Sequence, residues 1–148
     1  VLDHPATVRG KNVVDFASGS GLVGIAAKLA GAANVICADI DPFSKNAISL
    51  NAALNNVSLQ ISPENLVGKS VKADILLAGD VFYDRQFADE LIPWFDDLTQ
   101  QGVKILIGDP GRSYLPKSRL EHLEAYDVKV TRTLEDAEVK RTIVWRFA

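Results

Sequence analysis

The sequence predicts an α/β fold: a doubly wound, Rossmann-like and mainly parallel sheet of about seven strands that ends in an antiparallel C-terminal hairpin. Strand signals alternate with helix signals along most of the chain. The first strand-to-helix passage, Val13-Val14-Asp15-Phe16-Ala17-Ser18-Gly19-Ser20-Gly21, turns through small residues, as ligand-binding passages of α/β sheets do. The last two β segments are joined by a few residues only, too few for a crossover, so they pair antiparallel.

The first strand reads over about 12 to 17. Leu22 to Ala30 is apolar almost all round, as a buried crossover helix is. A second strand covers about 34 to 39, and Asp41 then supplies a helix N-cap with Pro42 at the first helical position. Phe43, Ala47, Leu50 and Leu54 share one face of that helix and predict its buried side; Asn55-Asn56 end it. Val57 to Ile61 reads as a short third strand. Beyond the turn Ser62-Pro63-Glu64-Asn65, the fourth strand, Ala73 to Gly79, follows so soon that any crossover helix is short or absent. Asp84 opens the next helix, with Phe87, Leu91, Phe95 and Leu98 on one side and Pro93 expected to kink or restart it. Gly102 to Gly108 is a fifth strand, buried on both faces at its centre. A short helix is expected near 116 to 124. Two β segments, about 126 to 134 and 138 to 147, joined around Glu135-Asp136-Ala137, close the chain.

No repeat, linker or low-complexity stretch divides residues 1–148, which read as a single domain. The chain opens on Val1 and not on a start methionine, so an upstream segment is expected to be missing. Hydrophobic residues make up 47% and charged ones 24%, the balance of an ordinary globular chain. With a net charge of −3 and no Lys/Arg stripe, nucleic acid is not an expected partner. Cys37 is the only cysteine, which excludes an intrachain disulfide and a thiolate metal site. His4 and His122 belong to no ligand-spaced motif, and no metal is expected. Residues 21 to 38 are mostly apolar, but Lys28, Gly31 and Asn34 divide them into a helix and a strand, so no membrane span is expected. The expected compartment is reducing: the cytoplasm, or the mitochondrial matrix in a eukaryote.

Gly19, Gly21 and Gly24 spell GxGxxG, and Asp39 follows Gly19 by 20 residues, the position of an acid that binds ribose hydroxyls. A nucleoside ligand is indicated, and Asp15 bears on which one. A carboxylate at the mouth of the first strand would repel a pyrophosphate seated on the helix N-terminus. It favours a cofactor with an ammonium and a sulfonium, which S-adenosylmethionine carries and NAD does not. Asp15 should then reach the methionine ammonium, through water or backbone neighbours. Ala17, Ser18, Gly19 and Gly21 should allow close backbone approach, and Asp39 should take two ribose hydrogen bonds. Ile40 should flank the adenine, and Glu64 or Asn65 should contact its amine. Asp41 reads as the helix cap.

The motifs DFASGSG, ADIDP, GDVFYD and GDPGR resemble the class I, seven-stranded S-adenosylmethionine-dependent methyltransferases. More narrowly, they resemble the family of lysine methyltransferases that modify the beta subunit of electron transfer flavoprotein. The first two motifs are common to the superfamily. The Asp80-Val81-Phe82-Tyr83 box and Gly108-Asp109-Pro110-Gly111-Arg112 narrow it. The resemblance implies that Asp80 and Tyr83 sit beside the methyl site and the acceptor, with Asp80 also touching the cofactor. It also implies an N-terminal extension that helps cover the cofactor.

Position in the fold supports these roles, since both residues follow the fourth strand at the ligand-binding edge. The alternative is that Asp80 caps the next helix and Tyr83 packs on it. Asp109 and Arg112, after the fifth strand, are candidate substrate contacts or simply a tight turn. Asp84, Asp89, Glu90, Asp96 and Asp97 are a solvated helix face, or a field that steers a basic segment. The implied activity is protein-lysine N-methylation, with the flavoprotein beta subunit as acceptor. Small-molecule methylation of the nicotinamide type, methylation of a ribosomal protein, NAD-dependent oxidoreduction and a non-catalytic cofactor-binding module stay open.

Overall fold

Apolar runs that end in an acid or a glycine become the centre of the sheet. The computed structural model describes residues 1–129 and 139–148. Its strands are β1 Asn12–Phe16, β2 Asn34–Ala38, β3 Gln60–Ser62, β4 Ile75–Gly79, β5 Lys104–Asp109, β6 Leu120–Lys129 and β7 Val139–Phe147. Its helices are α1 Leu22–Leu29, α2 Pro42–Leu54 and α3 Arg85–Gln100. The seven strands form one sheet in the order β3-β2-β1-β4-β5-β7-β6. The first five are parallel, and β7 runs antiparallel to both β5 and β6. No helix among the described residues is long and apolar enough to cross a membrane.

Strand alternation sorts the core into two layers. Val14, Phe16, Leu76 and Ala78 pack with Leu91, Phe95 and Leu98 of α3. Val13, Val35, Ile75 and Leu77 pack on the other face with Ala27 of α1 and Ile48 of α2. Each buried aliphatic or aromatic side chain is worth about 1.5 to 3 kcal/mol. Against β2, α1 comes unusually close. A Cβ on Gly24 would lie 2.4 Å from Cys37 Sγ and 3.1 Å from Asp15 Oδ2. Only glycine fits there.

The structure departs from the sequence reading at several elements. Phe43, Leu50 and Leu54, the predicted buried face of α2, are 79%, 68% and 80% exposed, whereas Ser44, Ile48 and Ala52 are buried. Anchors fix the rotation of the helix. Asp41 caps it, Asn51 Nδ2 donates to Ser20 O at 2.9 Å, and Ile48 fills the space beside Gly21. Leu22 and Leu29 are likewise exposed, so α1 is buried on one side and not all round. Helix α3 runs through Pro93 without restarting. Pro93 faces solvent, where water can satisfy the carbonyl that loses its partner.

The short helix expected near 116 to 124 is instead a single 3-10 turn, Lys117–Arg119, followed directly by β6. A bulge between His122 and Glu124 interrupts the strand's alternation, which hides it from a period-two reading. The predicted end of the first β segment (130–134), the connection at 135–137 and residue 138 lie outside the described residues. The crossover between β3 and β4 holds no helix, as expected. At the other end of the sheet, β5 pairs with β7 only as far as Asp109 opposite Ile143. From Tyr126 opposite Thr142 to Lys129 opposite Val139, β6 and β7 continue as a two-stranded ribbon past that edge.

Gly24→Ala should destabilise the protein by about 1 to 3 kcal/mol, the usual range for overpacking. Adding Cys37→Ala should recover part of that loss by removing the nearest atom. Urea unfolding of the wild type, both single variants and the double variant measures this. Strictly additive losses would show that the two positions do not press on one another.

Candidate functional site

In a doubly wound sheet the ligand crevice opens at the carboxyl ends of the strands, where the strand order reverses. Here the reversal falls between β1 and β4. A cavity of about 360 Å³ opens there, lined by Ala17, Asp39, Ile40, Asn65, Asp80 and Tyr83 among others. Six predicted site residues thus meet in one cavity.

Asp39, at the end of β2, is held from both sides. Its Oδ2 accepts the Gly19 N–H at 2.7 Å and its Oδ1 accepts the Asp41 N–H at 2.9 Å. Two backbone donors leave the carboxylate oriented, with lone pairs still open toward the cavity. The loop that supplies Gly19 turns through left-handed backbone at Ala17 (φ 53), Gly19 (φ 52) and Gly21 (φ 78). Gly19 and Gly21 do not line the cavity themselves; they shape its wall, and a side chain on Gly19 would meet open space. Ser18 donates its N–H to Ala38 O at 3.2 Å, and its buried hydroxyl finds no partner among the described residues. Asp41 caps α2 through the Phe43 N–H, as predicted, and also lines the cavity. Asn65 Oδ1 accepts the Val67 N–H at 3.0 Å, which fixes the turn that forms this wall.

Asp15 faces inward and does not line the cavity. It is 1% exposed, and its Oδ2 accepts the Gly24 N–H in the first turn of α1 at 2.7 Å, with Cys37 Sγ 3.9 Å away. Burial raises its carboxyl to about 7, and burial beside it raises the Cys37 thiol to about 12. Asp15 therefore ties β1 to α1 and acts on the cavity through the loop between them.

At the other end, Asp80 follows β4 in left-handed backbone (φ 55), and its N–H donates to Gly108 O at 2.8 Å. Arg112 grips its carboxylate from Nε at 2.6 Å and Nη2 at 2.7 Å. That pairing, helped by the charge of Lys140, holds the Asp80 carboxyl below the usual carboxylate range. The cap of α3 is Asp84, through the Phe87 N–H at 2.8 Å, so the capping role does not fall to Asp80. Tyr83 is 62% exposed on the rim, its ring 6.2 Å from that of Phe87. Asp109 is 1% exposed and outside the cavity. Its Oδ1 accepts the N–H groups of Gly111 and Arg112 at 2.7 and 2.8 Å, so it shapes the turn that carries Arg112.

Phe16, Leu66 and Phe87 also line the cavity. The sequence reading placed Phe16 only in the first strand and Phe87 only on one side of its helix; their places at the ends of β1 and α3 mark them as wall residues. The charged side chains that line the cavity are Asp39, Asp41, Glu64 and Asp80, with no lysine or arginine among the described lining. Such a wall disfavours a pyrophosphate and suits a ligand with positive charge. A second hollow, of about 400 Å³, lies between Val1, Leu77, Leu106 and Val144 and holds none of the other predicted site residues.

The sheet order, the antiparallel ending and the switch-point cavity define the seven-stranded methyltransferase fold. The L11 methylase of Lactobacillus delbrueckii superposes with a TM-score of 0.61 at 20% identity, over 97% of this chain and 73% of that one. The sequence model of the ribosomal protein L11 methyltransferase (PrmA) family matches residues 2–100. The chain belongs to that family. It is also 36% identical to the electron transfer flavoprotein beta subunit lysine methyltransferase of Rattus norvegicus, over 99% of this chain and 60% of that protein. The Homo sapiens counterpart is 35% identical over 99% and 59%. The chain thus spans about 60% of the length of these curated relatives.

Burial makes the folded protein hold the Asp15 proton more tightly than the unfolded chain does. The stability this contributes is full below the ordinary carboxylate range and is lost as pH rises through about 7. Asp15→Asn keeps an oxygen for the Gly24 N–H but cannot ionise. Between about pH 4 and pH 8 the wild type should lose roughly 3 to 4 kcal/mol relative to the variant. Denaturant titrations at several pH values test this. Parallel stability curves would show that the buried carboxyl titrates normally.

Proposed function

We propose that the protein is an S-adenosylmethionine-dependent N-methyltransferase whose acceptor is a protein lysine, with the beta subunit of electron transfer flavoprotein as the target. The observation that carries this is the acidic cavity, with a pinned ribose-binding acid at one end and the Asp80–Tyr83 box at the other. The names of relatives that match along nearly the whole chain support the lysine acceptor. In a eukaryote the mitochondrial matrix is the fitting compartment for that target.

The residues present suit the cofactor. Asp39 would hold the two ribose hydroxyls, the loop 17–21 would let the methionine part approach backbone, and Ile40 and Asn65 would border the adenine. No cation on the described wall competes with a sulfonium. When bound, S-adenosylmethionine would supply an activated methyl group, the acceptor nitrogen gaining the bond to carbon that sulfur gives up with its electron pair. The protein's task is alignment, which can be worth about 7 to 11 kcal/mol in favourable cases. Asp80 and Tyr83 hold the amine in line, and its proton is lost to solvent before attack, since a lysine is ordinarily charged. A second reading, a ribosomal-protein acceptor, is favoured by the name of the matching family.

Calorimetry should show that S-adenosylhomocysteine binds and NADH does not. Asp39→Ala should weaken that binding by at least about tenfold, since it removes two charge-assisted hydrogen bonds. An unchanged affinity would place the ribose elsewhere. Incubating the full-length protein with labelled S-adenosylmethionine and either the flavoprotein beta subunit or ribosomal protein L11 separates the two acceptors. Label on L11 alone would overturn the first.

A further inference from the structure

Arg112 stands outside the cavity, yet it engages both oxygens of the one carboxylate at the acceptor end. Neither partner is loosely placed. Asp80 is held in left-handed backbone by its bond to Gly108, and Arg112 springs from a turn that the buried Asp109 carboxylate ties together. Gly79 and Gly108 are paired neighbours on β4 and β5, so the two stems are fixed to one another. The pair is preformed, and only its Asp80 half lines the cavity.

A lysine reacts as the free amine, and the charges around it set how readily that form is reached. A lone carboxylate would bind the ammonium and raise its pKa, which favours binding and opposes reaction. A carboxylate forked by a guanidinium is nearly neutral as a pair and still has outward lone pairs for an N–H. Other groups bear on the same point. From β7, Lys140 adds positive charge near Asp80. On the loop after β4, Tyr83 stands with its ring 6.2 Å from that of Phe87, and Asp84 is committed to its helix cap. Asp109, behind the turn after β5, is committed to Gly111 and Arg112. Asp39, Asp41 and Glu64 line the cavity from the ends of β2 and β3, beyond β1.

On the lysine-methyltransferase reading above, we propose that Arg112 is a positioning residue that compensates Asp80. By holding both oxygens, it makes the carboxylate an oriented acceptor for a neutral primary amine instead of a trap for the ammonium. The site then selects its substrate in the free-base form.

The test uses full-length protein, a lysine acceptor that the wild type methylates, and the variants Arg112→Gln, Arg112→Lys and Asp80→Asn/Arg112→Gln. In Arg112→Gln, acceptor peptide should bind several-fold tighter in the presence of S-adenosylhomocysteine near pH 7, and KM should fall. Its kcat near pH 7 should drop by about tenfold, recover at alkaline pH, and show a midpoint raised by about one pH unit. Arg112→Lys should restore the wild-type midpoint. The double variant, with no carboxylate left to trap an ammonium, should also keep that midpoint at a lower kcat, and it serves if Arg112→Gln does not fold. Affinity for S-adenosylhomocysteine should match the wild type in Arg112→Gln and Arg112→Lys. Loss of kcat by the same factor at every pH, or peptide binding no tighter than wild type, overturns the charge role. A wild type that methylates no lysine overturns the lysine reading and this proposal with it.

Discussion

The contact on which the rest of the site depends is buried: the Asp15 carboxyl against the first turn of α1, with Gly24 pressed onto Cys37. It joins β1, β2 and α1 at one point. A helix N-terminus leaves backbone donors unpaired, and an acid from the preceding strand satisfies one of them. With the ends of strand and helix fixed in this way, residues 17 to 21 have little freedom left. They bend through left-handed backbone, and Gly19 delivers its N–H to Asp39. An acid outside the cavity therefore sets the orientation of one that lines it.

The two ends of the cavity are built on different principles. At the β2 end, a single carboxylate is oriented by neutral backbone donors, which leaves its charge intact. At the β4 end, a carboxylate is oriented by a cation, which cancels much of its charge. On the function proposed above, the difference fits two tasks: hydrogen bonding to neutral hydroxyls, and handling a nitrogen that must change protonation state. Asp109 acts in neither pair directly, yet the geometry of the second depends on the turn it ties.

The parts of the molecule that local chemistry determines were legible in the sequence. The loop 17–21, the Asp39 position, the Asp41 and Asp84 caps and the antiparallel close all follow from residues adjacent in the chain. The rotation of α2 did not, because it is set by Ser20, Gly21 and Asn51, far apart in sequence, and not by the larger apolar stripe. The first part of strand β6, read as a short helix, was hidden by a bulge and by a partner that comes later in the chain. Within the site, the spacing of Asp15 from Gly19 gave no sign that its carboxylate would turn toward the helix. Likewise Asp80 and Arg112 were each singled out, but no local pattern announces a pair formed across two strand ends.

The ribbon formed by β6 and β7 beyond β5 has an energetic side as well. Among the described residues, rungs such as Tyr126–Thr142 and Lys129–Val139 have no third strand paired to them. Two-stranded pairs are marginal in water, and local opening there need not involve the core. The parallel strands carry both core layers, and burying those side chains opposes local opening there. Reinforcement is thus uneven across the sheet: β1 is flanked by a strand on each side, and the described rung at Lys140 by one.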